Sequence, residues 1–97
     1  MRLRFTPRST ANLIEIADKI HVHNPMAAKR VQADIHNGLQ NLVLFPHAGR
    51  RQRVEGVRRL VTRKFRYLIY YMIDQAEEEL VILNIREPVR KRERQNA

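Results

Sequence analysis

The sequence predicts an α+β domain in which an antiparallel helical hairpin packs on one face of an antiparallel β-sheet, in the order β-α-α-β-β-β. Three observations lead there. Apolar residues recur at helical spacing as far as Leu42, short runs of β-branched and aromatic residues take over after Pro46, and the two proline-marked helix starts are divided by a turn too short for anything but a fold-back.

Leu3 to Phe5, alternating with Arg2 and Arg4, is a short β-prone start. Thr6-Pro7 then opens a helix, with Thr6 as N-cap and Pro7 at the first helical position, where its missing N–H costs nothing. Leu13, Ile16, Ala17 and Ile20 form its apolar stripe. His23-Asn24-Pro25 ends this helix and lets Asn24 cap a second. There Ala28, Val31, Ile35, Leu39 and Leu42 repeat every three or four residues up to the stop at Phe45-Pro46. Gly38 lies inside this helix and either weakens it slightly or allows close packing.

His47 to Arg53 reads as loop, with Gly49 expected at a positive φ. Val57 to Lys64, Tyr67 to Ile73 and Leu80 to Ile85 read as strands, with Asp74 to Glu79 as the turn between the last two. The tail after Pro88 is charged and without apolar period, so it is expected to be ordered only in part. Residues 1–90 are thus expected to form a single domain and 91–97 a charged C-terminal tail; no internal repeat is present.

The net charge is +9, and fifteen of the nineteen basic residues are arginine, which favours forked contacts to phosphate or carboxylate. The charge is uneven: residues 46–66 carry eight bases and one acid, and residues 67–85 carry four acids and no base. Such a polarised surface attracts nucleic acid or an acidic protein. The chain has no cysteine, which excludes a disulfide framework and a thiolate metal site and fits a cytoplasmic location. No apolar run reaches the roughly 18–20 residues that cross a bilayer, so no membrane association is expected.

The candidate binding residues are the bases of this block. Arg58, Arg59, Arg63, Lys64 and Arg66 are the densest group, with Arg50 and Arg51 upstream and Arg86 downstream. On a regular strand Arg59 and Arg63 share one face, while Arg58 and Lys64 share the other. They suit three roles: gripping a target's phosphates or acidic patch, docking an acidic partner segment, or simply solvating the sheet. Tyr67, Tyr70 and Tyr71 could stack on a base, but adjacent strand residues face opposite sides, so Tyr70 or Tyr71 is expected in the core. His21, His23, His36 and His47 do not assemble a metal site, Glu15 and Asp18 make no carboxylate pair, and no Gly-rich phosphate loop exists. No cofactor is expected.

From Phe45 onward the chain resembles the ParE branch of the ParE/RelE toxin superfamily. The residues that carry the likeness are Pro46 followed by Gly49-Arg50, then Gly56-Val57-Arg58, then Tyr67-Leu68-Ile69-Tyr70-Tyr71 closing at Asp74, then Leu80 to Ile85. The upstream helical hairpin also suits the family, so the resemblance covers essentially residues 1–90. It implies a RelE/ParE-like fold, a growth-inhibiting role in a bacterial type II toxin–antitoxin system, and a cognate ParD-like antitoxin, with which a higher-order hetero-oligomer can form. RelE-like members are ribosome-dependent mRNA endonucleases that use lysines and arginines on the sheet, often with a C-terminal tyrosine or histidine. ParE-like members lack that set, and the studied ones poison DNA gyrase. Here Tyr67 stands where RelE-like toxins carry the arginine of a Tyr-Arg pair, Arg86-Glu87 follows the last strand, and no tyrosine or histidine follows Tyr71. These departures favour a non-catalytic gyrase poison. The alternatives are an mRNA endoribonuclease using Arg63, Lys64 and Arg86, and a non-toxic basic nucleic-acid-binding module.

Overall fold

The structure is a computed structural model that describes residues 1–88. The expected tail at 91–97, and the domain boundary at 90, lie outside the described residues. The elements run β1 (Arg2–Phe5), α1 (Pro7–His23), α2 (Pro25–Leu44), β2 (Arg50–Arg51), β3 (Val57–Val61), β4 (Leu68–Asp74) and β5 (Glu79–Arg86). The strands form one sheet in the order β1-β5-β4-β3-β2. Four strands join antiparallel, whereas β1 pairs parallel with β5, so the sheet is mixed. The helical hairpin covers one face, and among the described residues no helix packs on the other.

Both helices start as their caps dictate. The Thr6 hydroxyl accepts the Ser9 N–H at 3.1 Å, and the Asn24 side-chain oxygen accepts the N–H groups of Met26 and Ala27, each at 3.1 Å. The expected stripe of α2 is buried throughout, while α1 is more loosely applied, with Ile16 buried and Leu13, Ala17 and Ile20 half-buried. These side chains meet Tyr67, Ile69, Tyr71, Leu80, Ile82 and Ile85 from the sheet. Leu42, Ile69, Tyr71, Leu80 and Ile82 are fully buried, so truncating any of these aliphatic residues to alanine leaves a cavity costing roughly 2–5 kcal/mol.

Two departures from the expected elements bear on the site. Arg50–Arg51 is a strand rather than loop, pairing antiparallel with Arg58 and Arg59. The strand expected to reach Lys64 stops at Val61, so Arg63 and Lys64 are not strand residues and the expected shared faces of Arg59 with Arg63, and of Arg58 with Lys64, do not form. The cause lies on α2. The buried Asp34 carboxylate accepts the N–H groups of Lys64 at 3.1 Å and Phe65 at 2.8 Å, while the Thr62 hydroxyl accepts the Tyr67 N–H at 2.9 Å. Backbone donors captured this way turn the chain instead of extending it, and Arg66 completes the turn at φ 63°. Burial pushes the Asp34 carboxyl up. The Thr62 hydroxyl, the Phe65 and Lys64 N–H groups and the Lys64 charge together outweigh it and hold its pKa below the ordinary value.

Candidate functional site

A β-bulge decides what the open face displays. In β5, Leu80 and Ile82 point into the core opposite Ile73 and Tyr71, and strict alternation would send Asn84 after them. The register instead shifts between Tyr70 and Tyr71, leaving Leu83 as the extra residue between Ile82 and Asn84. Ile85 therefore enters the core opposite Ile69, and Asn84 and Arg86 turn to the open face beside Tyr70 and Leu68. β1 has ended by then, because the chain leaves the sheet after Phe5, paired with Ile82, to enter α1. The free edge of β5 is met by α1 instead: the Asn12 side chain accepts the Ile85 N–H at 3.0 Å. Arg8, in the first turn of α1, lines one shallow depression with Tyr70, Leu83, Asn84 and Arg86.

Across the sheet at the same level, Arg50, Arg59, Tyr70 and Asn84 stand in register on β2, β3, β4 and β5. Arg50 and Arg59 are thus like charges directly opposite one another, an arrangement that is unfavourable in isolation. The Arg59 Nε is buried without a hydrogen-bond partner among the described residues. The ion pairs among the described residues, Arg2 and Arg4 with Glu79 and Lys19 with Glu87, involve none of this row. Leu68 and Met72 flank Tyr70 along β4, giving the open face an apolar middle between basic borders.

The other expected site residues are distributed differently. Arg58 lies on the helix-side face opposite Tyr71, where its Nη1 donates to the His47 carbonyl at 3.2 Å and the Gly49 carbonyl at 2.8 Å. It fastens the loop before β2. Tyr71 completes that fastening: its hydroxyl accepts the Gly49 N–H at 2.8 Å and donates to the Pro46 carbonyl at 2.7 Å. A Cβ on Gly49 would lie 2.5 Å from that hydroxyl, so close approach of Tyr71 requires the glycine. The positive φ expected there belongs to Gly56 instead. Arg51 pairs with Arg58 and borders a separate cleft with His47 and Glu55. Arg63, Lys64 and Arg66 radiate from the β3–β4 turn, at the end of the sheet where Val61, Leu68 and Arg86 align.

Of the three tyrosines, Tyr67 and Tyr71 are buried and Tyr70 alone belongs to the open face. Burial pushes the pKa of both buried phenols up, reinforced at Tyr67 by Glu87 against the opposing Lys19, and opposed at Tyr71 by the Gly49 N–H and Arg58. Neither is placed to exchange a proton with a molecule on the open face. Among the described residues no cluster of histidine, aspartate or glutamate is arranged to hold a metal ion, and no helix is long and apolar enough to cross a membrane. Arg8, Asn84 and Asp34 were missed in the sequence. A base in the first turn of a helix opposes the helix dipole, and a lone polar residue interrupts the apolar run Leu80–Ile85; these were the available signals for the first two.

Comparison with known proteins gives concordant results. Residues 3–91 match the family described as "ParE toxin of type II toxin-antitoxin system, parDE". A Sinorhizobium fredii (strain NBRC 101917 / NGR234) protein named "Putative toxin Y4kP" is 35% identical over 83 residues, 86% of either chain. Among solved structures, a chain from the chromosomal ParDE toxin–antitoxin system of P. aeruginosa superposes with a TM-score of 0.78 at 28% identity, covering 92% of this chain and 97% of that one. The isolated E. coli RelE toxin superposes with a TM-score of 0.68 at 10% identity, covering 98% and 92%, a likeness of fold alone. The helical hairpin on a five-stranded sheet and the family match over nearly the whole chain agree: this protein belongs to the ParE toxin family of type II toxin–antitoxin systems.

Proposed function

We propose that this ParE-family toxin inhibits growth by poisoning DNA gyrase, without catalysis of its own, and is neutralised by a cognate ParD-like antitoxin. The observation that carries the non-catalytic reading is the state of the tyrosines and the candidate nuclease residues. Phosphodiester cleavage is accelerated by a positioned acid and base. Two of three phenols are buried, and Tyr71 has its oxygen committed to Gly49 and Pro46. Arg63 and Lys64 leave the strand for a turn anchored by Asp34, and Arg86 lies two strands across the sheet from Val61. Guanidinium groups, which stay protonated, suit binding better than general acid–base work. The neutralising partner is supported by the ParDE system to which this chain is similar. It is also supported by exposed apolar residues on the hairpin, Ile14, Val22 and Met26, in a chain of net charge +9.

Poisoning would hold the gyrase–DNA complex in its cleaved state, turning an essential enzyme into a source of breaks. The test combines two assays with the purified toxin. Linearised plasmid should accumulate with gyrase and ATP, while mRNA in a translation extract stays intact. Ribosome-dependent mRNA cleavage without any effect on gyrase would replace this reading with that of an endoribonuclease.

A further inference from the structure

We infer that the open face of the sheet is a binding surface for single-stranded nucleic acid, with Tyr70 as the base-stacking residue and the arginines on either side as phosphate clamps. The inference is independent of which enzyme the toxin poisons, because it rests on the composition and register of this face alone. Strands are about 4.8 Å apart, so the row from Arg50 through Arg59 and Tyr70 to Asn84 spans roughly 14 Å of backbone. At one end Arg50 and Arg59 stand directly opposite each other in register, and at the other Arg8 and Arg86 share a depression with Tyr70. Four positive charges therefore flank one aromatic ring, while the described ion pairs of the sheet lie elsewhere, around Glu79.

An anion laid over Arg50 and Arg59 removes the repulsion between them. The half-buried ring between the basic pairs distinguishes the class of anion. A duplex keeps its bases stacked inside and would meet only the charged borders, leaving Tyr70, Leu68 and Met72 unused. A single strand presents an unstacked base to the ring and a phosphate to each side. Asn84, beside Tyr70 in register, supplies an amide donor and acceptor at the level of a base edge. The bulge at Leu83 brings Asn84 and Arg86 to this face, giving that irregularity a use beyond packing.

The test is fluorescence anisotropy of the purified full chain with labelled oligonucleotides, twelve thymidines and twelve uridines, against a duplex of equal length and a polyglutamate peptide. Either single strand should bind more tightly than the duplex; the tighter of the two identifies DNA or RNA as the natural source. Arg50→Ala combined with Arg59→Ala should weaken binding by about tenfold or more and flatten the log–log salt dependence by about 0.7 for each phosphate these arginines neutralise. Tyr70→Ala should weaken it by about tenfold while Tyr70→Phe leaves it unchanged, since stacking needs the ring and not the hydroxyl. Arg51→Ala, on the opposite side of β2, should have no effect. Melting curves establish that each variant is folded, and Arg50→Ala alone carries the test if the double variant is not. Equal affinity for duplex, indifference to both Tyr70→Ala and Arg50→Ala, or displacement of the oligonucleotide by polyglutamate with the same residue dependence would overturn the inference. The last result would assign the face to an acidic peptide.

Discussion

At the scale of single residues, the polar groups that matter most to the fold are those that bind backbone. Asp34 holds two N–H groups of the β3–β4 turn from a position on α2, so one carboxylate joins the helical layer to the sheet. Asparagine there keeps one acceptor oxygen but turns an amide donor toward the second N–H. Asp34→Asn should therefore lower stability at neutral pH by about 1–3 kcal/mol, read as the shift in denaturant midpoint. The pH dependence follows from the lowered pKa. A carboxyl more acidic in the folded state stabilises the fold above its unfolded pKa of about 3.9, and that contribution is lost as pH falls through the folded value. The gap between the parent and Asp34→Asn should thus be full at pH 7 and narrow below about pH 4. A gap unchanged with pH would mean that the charge of Asp34 contributes nothing. Tyr71→Phe tests the companion clamp. It strips the Gly49 N–H and the Pro46 carbonyl of their buried partner and should cost about 1–3 kcal/mol in the same assay.

At the scale of elements, the β3–β4 turn carries a strained residue in an exposed position. Arg66 adopts φ 63°, a region that costs a side-chain-bearing residue roughly 1–2 kcal/mol. Arg66→Gly should raise the melting midpoint or leave it unchanged while removing a positive charge. If toxicity falls as stability holds, Arg66 belongs to the target-binding surface. A drop in the midpoint would mean that the arginine side chain makes packing contacts that outweigh its backbone strain. The same turn marks the limit of what the sequence conveyed about the elements. The helices were legible because capping and apolar period are local signals, and Thr6, Asn24 and the stripe from Ala28 to Leu42 carry them in full. The end of β3 was not legible, because it is imposed by Asp34, some thirty residues upstream. β2 escaped because two arginines offer no alternation to read, and the parallel pairing of β1 with β5 is long-range topology that no local pattern encodes. The candidate site was legible as composition but not as arrangement. Arg58 and Arg59 are neighbours in the chain, yet one fastens a loop beside the core and the other faces outward with Tyr70.

For the whole molecule, the decisive quantity is the imbalance between a surface rich in arginine and a modest core. Net charge of +9 repels itself in the folded state, and a chain of this size buries only about 60–70% of its unfolded surface. A partner that binds the folded state and not the unfolded one adds stability by mass action, about 2.7 kcal/mol when its free concentration is a hundred times the dissociation constant. The antitoxin proposed here should therefore be a stabiliser as well as an inhibitor. An acidic amphipathic segment could cover Ile14, Val22 and Met26 with its apolar side while its carboxylates meet neighbouring bases. Co-expression with the product of the adjoining gene should yield one complex on size exclusion. Its melting midpoint should exceed that of the toxin alone and rise with added antitoxin. Raising salt should slow association far more than it speeds dissociation, because exposed charges steer encounter while buried apolar contacts hold the pair together. Ile14→Asp combined with Val22→Asp should leave the toxin folded, since both side chains face solvent in the free chain, yet weaken the complex severely. If that variant is neutralised as well as the parent, the antitoxin does not use the outer face of the hairpin, and the open face of the sheet becomes the surface where the two proteins meet.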